Sequence, residues 1–349
     1  MGSENLEIIW HDVADWGNEG QGWHGSDLER RYDRLPAKVS KIASLQNVWG
    51  LSHSSTGLCA HFNSDSTRIH IRMVLEREQL KENNFNLCSF SGVDLYARDS
   101  KNAWRWVAAP WHDAIKDSKP EYTLVEKLPK AMRKYRLYFP LRAHVGKLEI
   151  GVEKGGAFEP VAPRVGGELV YYGTSIVHGA FASRAGLGHP QMLGRSLDLP
   201  LINLGFSGAA QMEPEMAALL AELDPAVYVI DPQANMDHKM VAERAERFLR
   251  ILLEKRPTTP IVLLEGHPMM QGWLKPEEMR NHKLKCREQA KVYRKLVKEG
   301  VKTISYVKGG ERLYGLDGEG LIDSVHPNDL GYLSMFKILN PVLKRALKR

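Results

Sequence analysis

The sequence is short of cysteine, of long apolar runs and of charge of one sign, and each shortage closes a route. Its three cysteines, Cys59, Cys88 and Cys286, are an odd number, and none stands in a CxxC or in a Cys/His cluster at zinc-ligand spacing. They read as small buried hydrophobes, with one Cys59–Cys88 bridge left open by spacing alone. No stretch approaches the roughly 18 uninterrupted apolar residues of a membrane span, so a membrane protein is not expected. Met1–Trp10 has no basic segment followed by an apolar one, so no signal peptide is visible. The compartment stays open between the cytoplasm and, with a signal trimmed, the periplasm or exterior.

The net charge of +6 comes from 48 basic and 42 acidic residues, and the two signs are interleaved rather than blocked. The most basic stretch, Lys283–Lys298, has apolar positions at Leu284, Ala290, Val292, Tyr293, Leu296 and Val297, the pattern of an amphipathic helix with a solvated basic face. Without a recognition motif this argues against a nucleic-acid partner, though a weak attraction for acidic polysaccharides survives. His178 and His189 lack a pattern such as HExxH, so no metal is assigned, and no cofactor is expected. There is neither an internal repeat nor a low-complexity tract.

What is present divides in two. The first half alternates or runs apolar at strand length over 68–75, 93–97, 104–107, 136–139 and 147–152, with turn residues at short intervals between, which predicts an antiparallel sandwich. After the Gly- and Pro-containing stretch 155–167, apolar strands at 169–172, 201–204, 227–230, 261–264 and 303–307 alternate with helical periodicity at 212–222, 239–255, 277–299 and 330–347. Alternation of this kind predicts a parallel sheet covered on both faces, with its ligand edge at the strands' C-terminal ends. The expected domains are therefore 1–167, all-β, and 168–349, α/β. Because 155–167 lacks the repeats of a swinging tether, the two are expected to pack rigidly.

Three strand ends and the start of the last helix carry chemistry. Gly173-Thr174-Ser175-Ile176 presents a serine just past a strand, with Gly173 allowing the tight turn. Read alone, Ser175 is equally a helix N-cap. Asp323-Ser324-Val325-His326-Pro327 sets a carboxylate three residues before an imidazole, so that Asp323 can hold His326 Nδ1 and leave Nε2 to take a hydroxyl proton. Gly208, in Asn203–Gly208, and Asn235, in Asp231–Asn235, are candidate donors to an oxyanion. Arg184 is a candidate substrate contact and equally an ion-paired arginine. Asp231 is either a brace for the oxyanion loop or a strand-end cap. Trp104 and Trp106 share one face of a strand, expected to be sandwich core rather than a sugar platform.

The blocks GTSI at 173–176, NLGFSG at 203–208, the asparagine of DPQANMD at 231–237 and DSVHP at 323–327 resemble, in order, the four signature blocks of the SGNH (GDSL-like) hydrolases. The resemblance covers 168–349 and implies a flavodoxin-like three-layer α/β/α domain. It implies Ser175 as nucleophile, the Ser175 N–H, Gly208 and Asn235 as oxyanion hole, and Asp323 with His326 completing a triad. Gly92-Val93-Asp94-Leu95-Tyr96 resembles the GxDLY motif of the jelly-roll-like β-sandwich that precedes one esterase branch, in which the nucleophile block commonly reads GTS. Thr174 in place of the family's aspartate leaves open what orders the nucleophile turn.

The reading that results is a cofactor-independent serine esterase removing a short acyl group, most simply acetyl, from a small-molecule or oligosaccharide ester. Alternatives are a lipid or aryl-ester acylhydrolase, and a carbohydrate-binding protein on the same scaffold whose catalysis has lapsed. Oligomeric state is not legible.

Overall fold

The computed structural model describes residues 7–76, 85–111, 113–310, 313–315 and 318–348. Among the described residues nine strands form the first half: β1 (Ile8–Asp12), β2 (Cys59–Ser64), β3 (Ile69–Leu75), β4 (Asp94–Arg98), β5 (Trp104–Ala108), β6 (Glu121–Val125), β7 (Arg133–Tyr138), β8 (Val145–Glu153) and β9 (Phe158–Val161). They make two antiparallel sheets, ordered β1-β8-β3-β6 and β5-β4-β7-β2-β9. Between them lie Ile71, Met73, Ile150 and Val152 from the first sheet, and Ala60, Phe62, Leu95, Ala97, Tyr135 and Leu137 from the second.

Successive side chains of a strand point to opposite faces. The residues that alternate with the second sheet's core set, Cys59, His61, Asp94, Tyr96, Arg136 and Tyr138, are therefore on its outer face, and they too are buried. What covers that face is the other half of the chain: Cys59, Tyr96 and Tyr138 share a hydrophobic cluster with Tyr171, Leu193 and Leu339. Trp104 packs against the same cluster, and Trp106 donates through Nε1 to Asp94 Oδ1 at 3.0 Å. The tryptophan pair thus faces the domain junction rather than the sandwich core expected for it.

The second half is a parallel sheet of five strands, β10 (Leu169–Gly173), β11 (Leu201–Gly205), β12 (Val227–Asp231), β13 (Ile261–Leu264) and β14 (Ile304–Val307), in the order β11-β10-β12-β13-β14. This is the doubly wound 2-1-3-4-5 order, whose switch point flanks β10. Its helices are numbered after two short ones in the first half, α1 (Gln46–Ser52) and α2 (Leu87–Phe90). They are α3 (Ser175–His178), α4 (His189–Leu197), α5 (Pro214–Leu220), α6 (His238–Lys255), α7 (Pro276–Lys298) and α8 (Asp329–Ala346). Both faces of the strands are apolar: in β10, Val170 and Tyr172 enter the cluster under α5 and α6, and Leu169 and Tyr171 the one under α4 and α8. No helix among the described residues is long and apolar enough to cross a membrane.

The segment between β1 and β2 is shared: Val13, Tyr32 and Leu58 stay in the sandwich core, but much of the rest leaves it. Trp23, Leu35, Val39, Leu45 and Val48 are buried in the α/β cluster beside Ile202, Met212 and Leu223. Fully buried Arg34 goes with them, donating to the carbonyls of Asn203 and Gly205 at 3.0 Å each and to Leu51 and Ser54 at 2.7 and 2.8 Å. A guanidinium has donors enough to satisfy all four carbonyls at once. The three cysteines are free, so no bridge joins Cys59 to Cys88, whose sulfur instead lies 2.9 Å from the Pro110 carbonyl oxygen.

Candidate active site

β10 ends at Gly173 with no room for a side chain: a Cβ there would lie 2.5 Å from Val177 Cγ2 and 2.6 Å from the Asp231 carbonyl oxygen. The chain can then turn straight into α3. Thr174 caps that helix, its hydroxyl accepting from the Ile176 N–H at 3.3 Å. This is the local order that an aspartate would supply at the same place, and Ser175 follows as the first helical residue.

Ser175 Oγ is 2.8 Å from His326 Nε2, and His326 Nδ1 is 2.8 Å from Asp323 Oδ2. The other carboxylate oxygen, Oδ1, accepts the N–H groups of Val325 and His326 at 2.7 Å each. One carboxylate therefore folds the turn and orients the ring, which is why a three-residue spacing suffices. Burial by itself would raise the Asp323 pKa, but the backbone and imidazole donors outweigh it and hold the group below the ordinary aspartate range. Asn328 anchors the turn to α8, accepting from Leu330 and Gly331 N–H at 2.9 and 3.2 Å.

Asn203, which sequence reasoning passed over, joins β11 to α3. Fully buried, it donates to the Val177 carbonyl at 2.7 Å and accepts from Gly205 N–H at 2.9 Å. Only its position beside Gly205, where a Cβ would come within 2.1 Å of His178 N, could have marked it as a packing residue. Gly208 takes a left-handed φ of +69° and has open space where a Cβ would stand. Neither its N–H nor that of Ser175 donates to a protein acceptor among the described residues. Asn235 differs from the expectation of a free donor: its Nδ2 lies 3.2 Å from both the Phe206 and the Ala210 carbonyl oxygens. Its amide thus fastens the turn that carries Gly208.

Arg184 is an ion-paired arginine. Its Nη1 contacts Asp94 Oδ1 and Oδ2 at 3.1 and 3.0 Å and Tyr96 OH at 2.9 Å, and its guanidinium lies 4.7 Å from the centre of the Trp106 ring. A buried carboxylate draws the nearest cation, and Asp94 is wholly buried. The GxDLY aspartate also accepts Gly186 N–H at 2.8 Å, so it clamps the loop that runs from α3 to α4. That loop carries Phe181, at a left-handed φ of +65°. Its ring stands edge-on to His326, 5.0 Å between centroids, and 4.7 Å from Phe85 of the sandwich.

His178 and His189 are core histidines. His178 Nε2 is 2.7 Å from the Leu141 carbonyl oxygen and His189 Nε2 is 2.9 Å from Tyr171 OH, and burial drives both pKa values down, that of His189 to about 3. Asp231 is buried with Tyr171 OH 3.5 Å away, and burial raises its pKa well above the ordinary range. One group among the described residues has metal-ligand types close together: Glu19, Cys59 and His61, with ligand atoms within 4.8 Å of one another. Glu19 is already held by Arg164 at 2.7 Å, and Arg136 Nε is 3.3 Å from His61 Nε2. Two guanidinium groups at its edge make this a poor cation site.

The sequence from 167 to 344 matches the model of the GDSL-like lipase/acylhydrolase family, which is more than half of the chain. The chain belongs to that family. Residues 8–158 match the N-terminal domain of SGNH-hydrolase-type esterases, the GxDLY domain. Among solved structures, a protein described as a GDSL-like lipase from Bacteroides ovatus superposes with a TM-score of 0.88 at 27% identity over 98% of both chains. The salicylyl-acyltransferase SsfX3 of a tetracycline biosynthetic pathway matches with a TM-score of 0.72 at 17% identity over 99% of this chain and 98% of that one. The acetyl xylan esterase Est2A of Butyrivibrio proteoclasticus matches at 0.59 and 14% over 98% and 99%. The last two are likenesses of fold. No curated protein sequence matches significantly. This GDSL-like hydrolase thus carries both halves of an SGNH-type esterase.

Proposed function

We propose that the protein is a serine carboxylic-ester hydrolase that removes a short acyl group, acetyl being the simplest, from a carbohydrate. The observation that carries the reading is the relay from Ser175 Oγ to His326 Nε2 and from Nδ1 to Asp323, with both steps at 2.8 Å. His326 takes the serine proton as Oγ attacks the ester carbonyl, and Asp323 stabilises the imidazolium. The backbone N–H groups of Ser175 and Gly208 meet the oxyanion, joined by the Asn235 amide as it exchanges a turn carbonyl for the developing charge. His326 then protonates the leaving alcohol, and a water deprotonated by the same ring releases the acid from the acyl-enzyme.

The carbohydrate half of the proposal leans on the fold it shares with an acetyl xylan esterase and with family two carbohydrate esterases, which is an argument by analogy. The salicylyl-acyltransferase neighbour supports a second reading, acyl transfer to an alcohol instead of water. Turnover of a chromogenic acetate ester and of acetylated oligosaccharides, with and without an added alcohol acceptor, separates the two. Hydrolysis lost in Ser175→Ala is the expected result. Residual turnover near wild type in that variant overturns the mechanism, and ester formed faster than acid favours transfer.

A further inference from the structure

Beside the oxyanion turn lies a cleft of about 510 Å³, lined by Gly208 and Asn235 at one side, by His267 and Val325 at another, and by Glu278 and Lys285 of α7. Gly208 and Asn235 place it beside the proposed oxyanion site, and Val325, the residue before His326, lines it too. Its charges do not balance. Glu278 pairs with Lys275 through Oε1 at 3.1 Å, while its Oε2 is buried without a hydrogen-bond partner. The Lys285 ammonium has only the Gln233 carbonyl oxygen, at 3.4 Å, and among the described residues no carboxylate oxygen comes within 4.0 Å of it. On the same helix Lys291 pairs with Glu288 at 3.8 Å and Lys295 with Glu246 at 2.7 Å, while Lys283 and Lys298 stand exposed in solvent. The half-buried cation without an acid is the one that faces the cleft.

We propose that this cleft recognises a carboxylate carried by the ester substrate, with Lys285 as its cationic partner. The proposal rests on the ester-hydrolase reading and adds the charge of the molecule hydrolysed. A cation withdrawn from water gains more from a charged partner than an exposed one does. Burial lowers the Lys285 pKa from its ordinary value, with Cys286 and Asp237 pulling it back up. Asp237 is engaged elsewhere, capping α6 through the Met240 N–H at 2.8 Å. His267 adds no competing charge: burial holds its pKa at about 3. Its Nδ1 is 2.7 Å from the Pro268 carbonyl oxygen, and its Nε2 has no partner.

That carboxylate has two sources, the alcohol side as in an acidic sugar, or the acyl side as in a half-ester of a dicarboxylic acid. Four esters distinguish them: mono-acetylated glucuronate against mono-acetylated glucose, and p-nitrophenyl hemisuccinate against p-nitrophenyl butyrate. The full-length enzyme is expected to favour one anionic ester over its neutral counterpart by about tenfold in kcat/KM, the weight of one charged hydrogen bond. The anionic-to-neutral ratio should fall toward one in Lys285→Gln and below one in Lys285→Glu, and should shrink as salt is raised. No preference for either anionic ester in the wild type overturns the proposal. So does a ratio unchanged in Lys285→Gln, even if all four rates drop together through the lost bond to Gln233. Turnover of all four esters by Ser175→Ala would instead sink the serine mechanism and leave the charge preference to be read by itself.

Discussion

Asp323 at the edge proposed as catalytic and Asp94 at the junction of the two domains each pair with a cationic or protonatable side chain, yet Asp323 is 39% exposed and Asp94 is wholly buried. Around Asp323, donors from its own turn outweigh burial and lower the pKa. Around Asp94 burial is the larger effect and raises it, although Arg184 and Gly186 N–H pull the other way. At the edge, polar groups are kept near water so that a proton can move; at the junction, they are sealed so that a geometry is kept. The four experiments below separate these roles, and their expected effects run from loss of the fold to a modest change of acid stability.

The largest effect is expected from removing the first half. A fragment of 168–349 loses Trp23, Leu35, Val39, Leu45 and Val48 from its own core cluster. At roughly 1.5 to 3 kcal/mol for each large apolar side chain buried, these five contribute about as much as the whole net stability of a domain. The fragment should be insoluble or should unfold without a cooperative transition. A folded fragment with wild-type activity on an acetate ester would show that the junction is dispensable.

Next comes the edge itself. Asp323→Asn should lower kcat by about a thousandfold, because the amide favours the wrong imidazole tautomer and also weakens the turn bonds to Val325 and His326. Ser175→Ala and His326→Ala should each cost more, and the double variant little beyond either alone, since the two act as a unit. Thermal unfolding of the serine variant should stay near wild type. An Asp323→Asn enzyme with unchanged rate would mean that another group orients the ring.

Much of this edge was legible because its signals are local. Periodicity marked β10 to β14 within a residue or so, and the Asp323–His326 spacing is bonded within one turn. Thr174 needed the structure, because a threonine's cap is visible only once the helix start is known. The junction was less legible. Alternation identifies the two faces of a strand but not what each face meets, so Trp104 and Trp106 were assigned to the wrong side. Arg34 and the apolar residues Trp23, Leu35, Val39, Leu45 and Val48 lie in turns and short helices without a sustained period, and nothing local shows that they cross to the other domain. Arg184 and Asp94 stand 90 residues apart, so their pairing is a fact of topology.

The junction is tested by Asp94→Ala, which removes the acceptors of Arg184, Gly186 and Trp106 and leaves a half-buried guanidinium without its acid. A loss of about 3 kcal/mol in urea unfolding is expected, with Asp94→Asn costing roughly half because one oxygen remains. If Asp94→Ala unfolded at the wild-type midpoint, the GxDLY aspartate would have no structural role, and the comparison between edge and junction would collapse.

The smallest effect sharpens the comparison through pH. Glu19, buried beneath the same outer sheet face, has Arg164 Nε at 2.7 Å and His61 Nε2 at 3.2 Å. Burial would raise its pKa, but those partners together carry it far below the ordinary value of 4.5. A carboxyl depressed in the folded state binds protons more readily when unfolded, so its stabilisation is complete above about pH 4.5 and is lost as the pH falls below that. Glu19→Gln keeps the shape and removes the charge. At pH 7 it should lower the free energy of unfolding by about 1 to 3 kcal/mol, and the gap from wild type should narrow as urea titrations are repeated at pH 4.5, 3.5 and 2.5. A gap that stayed constant across those titrations would mean that Glu19 contributes neutral hydrogen bonds only. The sealed side of the molecule would then be held by shape and not by charge.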